Sequence, residues 1–307
     1  MVKAYLESYS LGHRAKSVLF AKGRLAHVSR LLGTKLLPDV TEAAIHSYMR
    51  TRLDEGVSGR TINMEVGELS RAIGHPWSIL WPKVSKMEER KDVGKALSPE
   101  EERRLLDAVT NQVSHSRSQT LGTFIRVALM TGMRSGEILG LTWGQIDLGR
   151  RVITVGRAKT SSGTGRQIPM NGDLFAVLFV HSSWALERFG AVEPGHYLFP
   201  FGKPSPSDPT KSMTDVTGAW DALRERAGVE CRLHDLRHTA ATKMAEAGVP
   251  EGTMLALMGH MSRAMLKRYS HIRMAAKREA LGISKPRQTS EGTPTKSPTA
   301  IGSAKIQ

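Results

Sequence analysis

The sequence predicts a mainly α-helical protein with one small β-sheet, divided into an N-terminal helical bundle and a larger C-terminal mixed α/β region. Three observations predict it. The first ninety or so residues carry narrow apolar stripes that recur every three or four positions, the period of an amphipathic helix. The stretch "HPWSILWPKVSKMEERKDVGKA" then breaks that period with two prolines and a mixed charge run, as a link between domains does. Beyond it, two short strand-like runs, "RRVITVG" and "RQIPM", interrupt a chain that otherwise reads as helix. These features set boundaries at 1–90 for the bundle, 91–283 for the second domain and 284–307 for a tail.

Each element has a local reason. In "SVLFAKGRLAHVSRLLG" the residues Leu25, Val28 and Leu32 form one stripe, with Lys22, Arg24 and Arg30 on the other side. "TEAAIHSYMRTRLDEG" opens on Thr41 as an N-cap and repeats Ile45, Met49 and Leu53 every four residues. "SGRTINMEVGELSRAIG" places Ile62, Val66, Leu69 and Ile73 on a third stripe and closes at Gly74. Stripes this narrow require the helices to cover one another as a bundle. In "ALSPEEERRLLDAV", Ser98 caps, Pro99 takes the first helical position and Glu101 completes a capping box. "TLGTFIRVALMTGM" reads as a buried helix, and "RAKTSSGTG" as the flexible turn between the two strands. From there to about residue 283 the pattern returns to helix. The tail "KPRQTSEGTPTKSPTAIGSAKIQ" has almost no large apolar residue and is expected to be disordered.

Charge is the strongest compositional signal. Of 307 residues, 44 are Lys or Arg and 29 are Asp or Glu, a net +15, with 40% of the chain hydrophobic. Such an excess favours a polyanionic partner, nucleic acid before membrane, because phosphate neutralisation releases counterions. A lone cysteine, Cys231, excludes a disulfide framework or thiolate zinc site and suits a reducing compartment. The N-terminus lacks the apolar core of a signal peptide, and no apolar run is long enough to span a bilayer. These features predict a soluble, cytoplasmic, nucleoid-associated protein.

Chemistry concentrates in "LHDLRHTAATKMAEAGV". With Asp235 in the first turn of a helix, His234, Arg237 and His238 share one face. Arg134 lies in "TGMRSGEILGLTWGQIDL" at a helix-to-helix junction, a place that favours an anion. Taken alone it reads as a surface arginine paired with Glu137. Lys159 lies in the turn between the strands, with Arg157 as a competitor for any role there. "LMGHMSRAMLKRYSHI" carries His260 and, nine residues later, Tyr269, about two turns beyond a Ser262 N-cap.

As one set, Arg134, Lys159, His234, Arg237 and His260 offer five hydrogen-bonding or cationic donors and Tyr269 one oxygen nucleophile. A phosphodiester gains charge on its equatorial oxygens as phosphorus becomes five-coordinate. Guanidinium and imidazole donors aimed there stabilise the transition state, each worth roughly 10²–10³ in rate. A phenol is a weak nucleophile near neutrality, so a positive field must also stabilise the phenolate. The leaving alkoxide takes a proton from a lysine or histidine. That scheme needs no metal and no cofactor. Rival motifs are missing from the sequence: no H-E-x-x-H, no G-x-S-x-G and no P-loop, and Asp235 and Glu137 stand alone amid basic residues rather than as the carboxylate cluster of a two-metal nuclease.

The ordered set "TGMRSGEILGLTWGQID", "HDLRHTAAT" and "MGHMSRAMLKRY" resembles the tyrosine recombinase (phage integrase) family, strongly over about 98–283 and less so over the N-terminal bundle, which is similar to the family's core-binding, SAM-like domain. The resemblance implies a DNA breaking-rejoining catalytic fold and a site-specific DNA recombinase or integrase. Tyr269 would attack the scissile phosphate and hold a 3′-phosphotyrosine, releasing a 5′ hydroxyl. Arg134 and Arg237 would bind the non-bridging oxygens and Lys159 would act as general acid. His234 would assist proton transfer and His260 would contact phosphate or place the nucleophile. His238 and Glu137 would support these groups. The implied partners are double-stranded DNA, clamped between bundle and catalytic domain, and a homo-tetramer on paired sites that exchanges the helix over "RMAAKREALGI". Because the chain begins almost at the bundle, a recombinase without a separate arm-binding domain is expected. "SRAMLKRY" departs from many relatives in lacking small hydroxyl residues before the tyrosine. The alternatives are a catalytically silent DNA-binding protein of this fold and a type IB topoisomerase.

Overall fold

The computed structural model describes residues 1–89, 94–110, 115–156, 164–203, 205–259 and 261, the side chains of 115–118 excepted. The chain divides into two compact units, Met1–Val93 and Gly94–Gln307. Among the described residues no helix is long and apolar enough to cross a membrane.

The first unit contains α1 (Val2–Gly12), α2 (Ala15–Leu32), α3 (Glu42–Asp54), α4 (Gly59–Ile73) and the short α5 (Pro76–Leu80). Leu25, Val28 and Leu32 of α2 are buried with Ile45, Met49, Ile62, Val66 and Leu69. The Thr41 side chain accepts from the Ala44 N–H at 3.1 Å, and Gly74 ends α4 at φ +78. The α3 stripe differs from its sequence pattern. Leu53 is exposed, and Tyr48 and Arg52 take the buried positions. The reason lies on α4, where Glu65 and Glu68 sit on the apolar face, each 1% exposed.

Buried carboxylates need partners. Arg52 donates to both oxygens of Glu65, at 2.9 and 2.7 Å, and the Tyr48 hydroxyl donates to the same group at 2.7 Å. Glu68 receives the Tyr5 hydroxyl at 2.7 Å, Arg71 at 2.6 Å and Arg24 at 3.2 Å. Arg24 and Arg30 are therefore not open charges on α2: one joins Glu68 and the other Glu55. The proline-containing link also begins later than its composition suggests. Trp81 is buried in the bundle and donates its indole N–H to the Val40 carbonyl at 2.8 Å.

The second unit opens with α6 (Pro99–Thr110), whose capping box is formed as read: Glu101 N–H to Ser98 Oγ at 3.2 Å and Ser98 N–H to Glu101 Oε2 at 2.9 Å. The central helix α7 (His115–Thr131) buries Phe124, Ile125, Val127 and Ala128. After the five-residue α8 (Ser135–Leu139) come β1 (Ile146–Asp147), β2 (Val152–Thr154) and β3 (Gln167–Pro169). They form an antiparallel sheet in which Ile146, Ile153 and Ile168 lie in register on its buried face. The sequence reading found β2 and β3 and missed β1, which is only two residues long. α9 (Gly172–Phe189) follows, capped by Asn171. The expected return to continuous helix is then corrected by a second hairpin, β4 (Pro200–Phe201) with β5 (Asp208–Ser212). Its proline-rich, polar strands carry no alternating pattern. α10 (Thr217–Arg226), α11 (Asp235–Glu246) and α12 (Glu251–Met258) complete the described chain.

His181 of α9 is fully buried. Its ring stacks between Trp143 and Trp184, with centroids 5.9 and 4.9 Å away, and its Nε2 lies 2.7 Å from the Leu198 carbonyl oxygen. Burial pushes its pKa down to about 4, against the carbonyl's opposing pull.

Two outcomes are expected. The neutral His181 contributes stability that is complete above its ordinary pKa of 6.5 and is lost as pH falls toward about 4. Urea titrations followed by tryptophan fluorescence lose on the order of 2 kcal/mol from this group between about pH 7 and about pH 5. His181→Gln flattens that slope. In the bundle, Glu65→Ala leaves the Arg52 charge buried without its main partner and costs about 3–5 kcal/mol, read as an early thermal unfolding step by circular dichroism.

Candidate active site

α11 starts where the sequence placed it. His234 occupies the N-cap position and Asp235 the first helical turn. Asp235 is 2% exposed and works as a backbone clamp. Its Oδ2 accepts the Arg232 N–H at 2.8 Å and its Oδ1 the Lys95 N–H at 3.2 Å, with the Arg232 guanidinium on the same group. Burial raises its pKa, and the bonds from Arg232 and Lys95 outweigh that, so the carboxylate stays ionised. Thr239, one turn on, accepts the Leu97 N–H at 2.9 Å. The segment that precedes α6 is thereby tied to α11. A methyl group on Gly94 would overlap the ring of His238, so this position accepts no side chain.

Arg237 is 3% exposed. Its Nη1 donates to the Met258 carbonyl at 2.9 Å, at the end of α12, and to the Gly132 carbonyl between α7 and α8. Two fixed carbonyls thus set the plane of the guanidinium. Gly132 makes this possible through its conformation, φ +63, in which a Cβ would also strike the Met258 side chain.

Arg134 follows two residues later as the N-cap of α8. It is half-buried, and its Nη1 donates to Glu137 Oε1 at 3.0 Å. The pairing expected of an ordinary surface arginine is therefore present, yet Glu137 is not a surface partner. Its side chain is 4% exposed, and its Oε2 accepts the Arg134 N–H at 3.0 Å and the Arg166 Nη2 at 2.6 Å. Burial pushes the Glu137 carboxyl up, and the bond and charge of Arg166 together with the bonds from the Arg134 backbone and side chain pull it below its ordinary value. The carboxylate thus closes the capping box of the short α8 by accepting the N–H of Arg134.

His234 brings the two arginines into one environment. Met133, Ser135, Leu233, His234 and Arg237 line one small cleft. Burial lowers the His234 pKa, and the positive charges of Arg237, Arg232 and Arg134 lower it further, against Asp235. A neutral imidazole between two cations suits proton relay. The His234 and His238 rings meet edge to face at 5.2 Å. The structure thus places His234 and Arg237 on one cleft, with Arg134 near enough for its charge to act on His234. Lys159, His260 and Tyr269, with Arg157, the exchanged helix and the tail, lie outside the described residues. Arg166, 6% exposed at its side chain, escaped the sequence reading. The only signal was an arginine immediately before an apolar strand.

Solved structures share this fold. A Tn1549 transposon integrase in complex with transposon right end DNA superposes with a TM-score of 0.70 at 21% identity, covering 92% of this chain and 99% of that one. A lambda integrase tetramer bound to a Holliday junction superposes at 0.65 and 18% identity, covering 88% and 75%. In sequence, the integrase of Salmonella phage P22 is 30% identical over 211 residues, 66% of this chain and 51% of the relative. A shufflon-specific DNA recombinase of Escherichia coli is 28% identical over 261 residues, 77% and 59% respectively. The chain spans about half the length of these curated relatives. The phage integrase family matches residues 95–276, and the chain belongs to that family.

Gly132→Ala forces a side chain into left-handed backbone and against Met258. It is expected to cost about 1–3 kcal/mol, measured by urea denaturation of the full chain.

Proposed function

We propose that this chain is a site-specific DNA recombinase of the integrase type, cutting and rejoining duplex DNA through a covalent 3′-phosphotyrosine without metal or ATP. One observation carries the reading: His234 and Arg237 line a single cleft, the charge of Arg134 acts on the same His234, and both guanidinium groups are oriented by buried carboxylate or carbonyl partners. Fixed guanidinium donors of this kind stabilise the charge that grows on a five-coordinate phosphorus, and cost no reorganisation as it forms. Family membership and the net charge of +15 support the same reading.

In this scheme Arg134 and Arg237 hold the non-bridging oxygens and the Tyr269 phenol attacks. Lys159 protonates the leaving 5′ oxygen, His234 relays a proton and His260 helps to place the nucleophile. The bond energy is retained in the protein ester, so a second hydroxyl can rejoin the strand. The N-terminal unit also binds the duplex. Four copies act on paired sites, linked by the helix in "RMAAKREALGI", in the cytoplasm on nucleoid DNA.

The test uses a duplex selected for binding from a random pool, nicked so that the cleaved end diffuses away. Wild-type protein forms a denaturant-stable protein–DNA adduct, Tyr269→Phe forms none, and Arg237→Lys slows its formation about 10²–10³-fold. Salt-sensitive binding with no adduct in the wild type supports the silent DNA-binding reading instead.

A further inference from the structure

We propose that Arg166 is a positioning residue that sets the orientation of Arg134 through Glu137 and holds the α12 terminus in the same arrangement; this inference rests on the phosphoryl-transfer reading above. The backbone at Arg166 is fixed by the sheet. Its carbonyl accepts the Val155 N–H at 2.9 Å, and the Gly165 N–H donates to the Val155 carbonyl at 2.8 Å. The side chain runs from this anchored point into the interior. Its Nη2 meets Glu137 at 2.6 Å, and its Nε donates to the Leu257 carbonyl at 3.0 Å. One planar guanidinium thus joins the sheet, the α8 turn and the last turn of α12.

The consequence for Arg134 follows from the shared carboxylate. Glu137 Oε2 serves both Arg166 and the Arg134 backbone, while Oε1 holds the Arg134 guanidinium. With Arg166 present, the carboxylate is pinned and its charge is divided between two cations. Without it, the carboxylate loses one of its two cations and its full charge falls on Arg134, drawing that guanidinium away from a phosphate. Leu257 and Met258, the two carbonyls gripped by Arg166 and Arg237, directly precede the segment carrying His260. A misplacement of about 1 Å in such a constellation costs on the order of 10²-fold in rate.

The test measures single-turnover adduct formation and duplex affinity on the nicked substrate. Arg166→Gln is expected to slow adduct formation about 10–100-fold while leaving the duplex Kd within about threefold, because it removes no phosphate ligand. Arg166→Lys, which keeps the charge and loses the planar fork, recovers part of the rate. In a Glu137→Gln background, Arg166→Gln adds little further loss, since both act on the same carboxylate. A purely structural role would move Kd and rate together and give additive losses. Wild-type-like rates for both Arg166 variants, or full additivity with Glu137→Gln, overturn the proposal. If Arg166→Gln fails to fold, Arg166→Lys decides: a wild-type rate refutes it and a slowed rate at unchanged Kd supports it. Failure of the underlying reading is distinct, because wild-type protein would then form no adduct.

Discussion

A carboxylate removed from water must be matched by cations and donors, and Glu137 imposes that requirement at the centre of the catalytic unit. Its two oxygens take the Arg134 guanidinium, the Arg134 backbone and Arg166, so its charge is neutralised from opposite sides. α8, the sheet and the end of α12 all meet there. Arg237 adds a second tie by bonding the α12 terminus to the Gly132 turn. The conformation of that turn, the burial of Glu137 and the direction of Arg134 are consequently one problem with one solution.

Among the described residues, the same device recurs wherever an acid is buried. Glu65 is matched by Arg52, Glu68 by Arg71 and Arg24, and Asp235 by Arg232. These interior acids are thus consumed by the arginines packed against them. Nearly all of the net +15 is then carried by the remainder of the chain, as a partner made of phosphates requires. His234 shows the other use of the field. Burial and surrounding positive charge keep it neutral, available to move a proton rather than to bind one permanently.

What was legible in the sequence is what physics writes locally. The Thr41 cap, the Ser98–Glu101 box and the Gly74 stop each need only a few neighbouring residues, and each is found in place. Asp235 at the start of α11, with His234 and Arg237 around it, was readable for the same reason. Glu65 and Glu68 were not, because an acid on an apolar helix face is explained only by arginines that other parts of the chain deliver. The β4–β5 hairpin was hidden by prolines and polar residues that form a ladder only against the rest of the unit. Arg166 was hidden most thoroughly, since its partners Glu137 and Leu257 lie 29 and 91 residues away.

The central claim is that Arg134 and Arg237 converge on one phosphodiester. A crystal structure of the full chain on its selected duplex tests this most directly. The account predicts both guanidinium groups within hydrogen-bond distance of the non-bridging oxygens of a single phosphate, with the Tyr269 hydroxyl of the same or a neighbouring copy in line with the 5′ oxygen. A complex in which the two arginines bind different phosphates, or none, would contradict it.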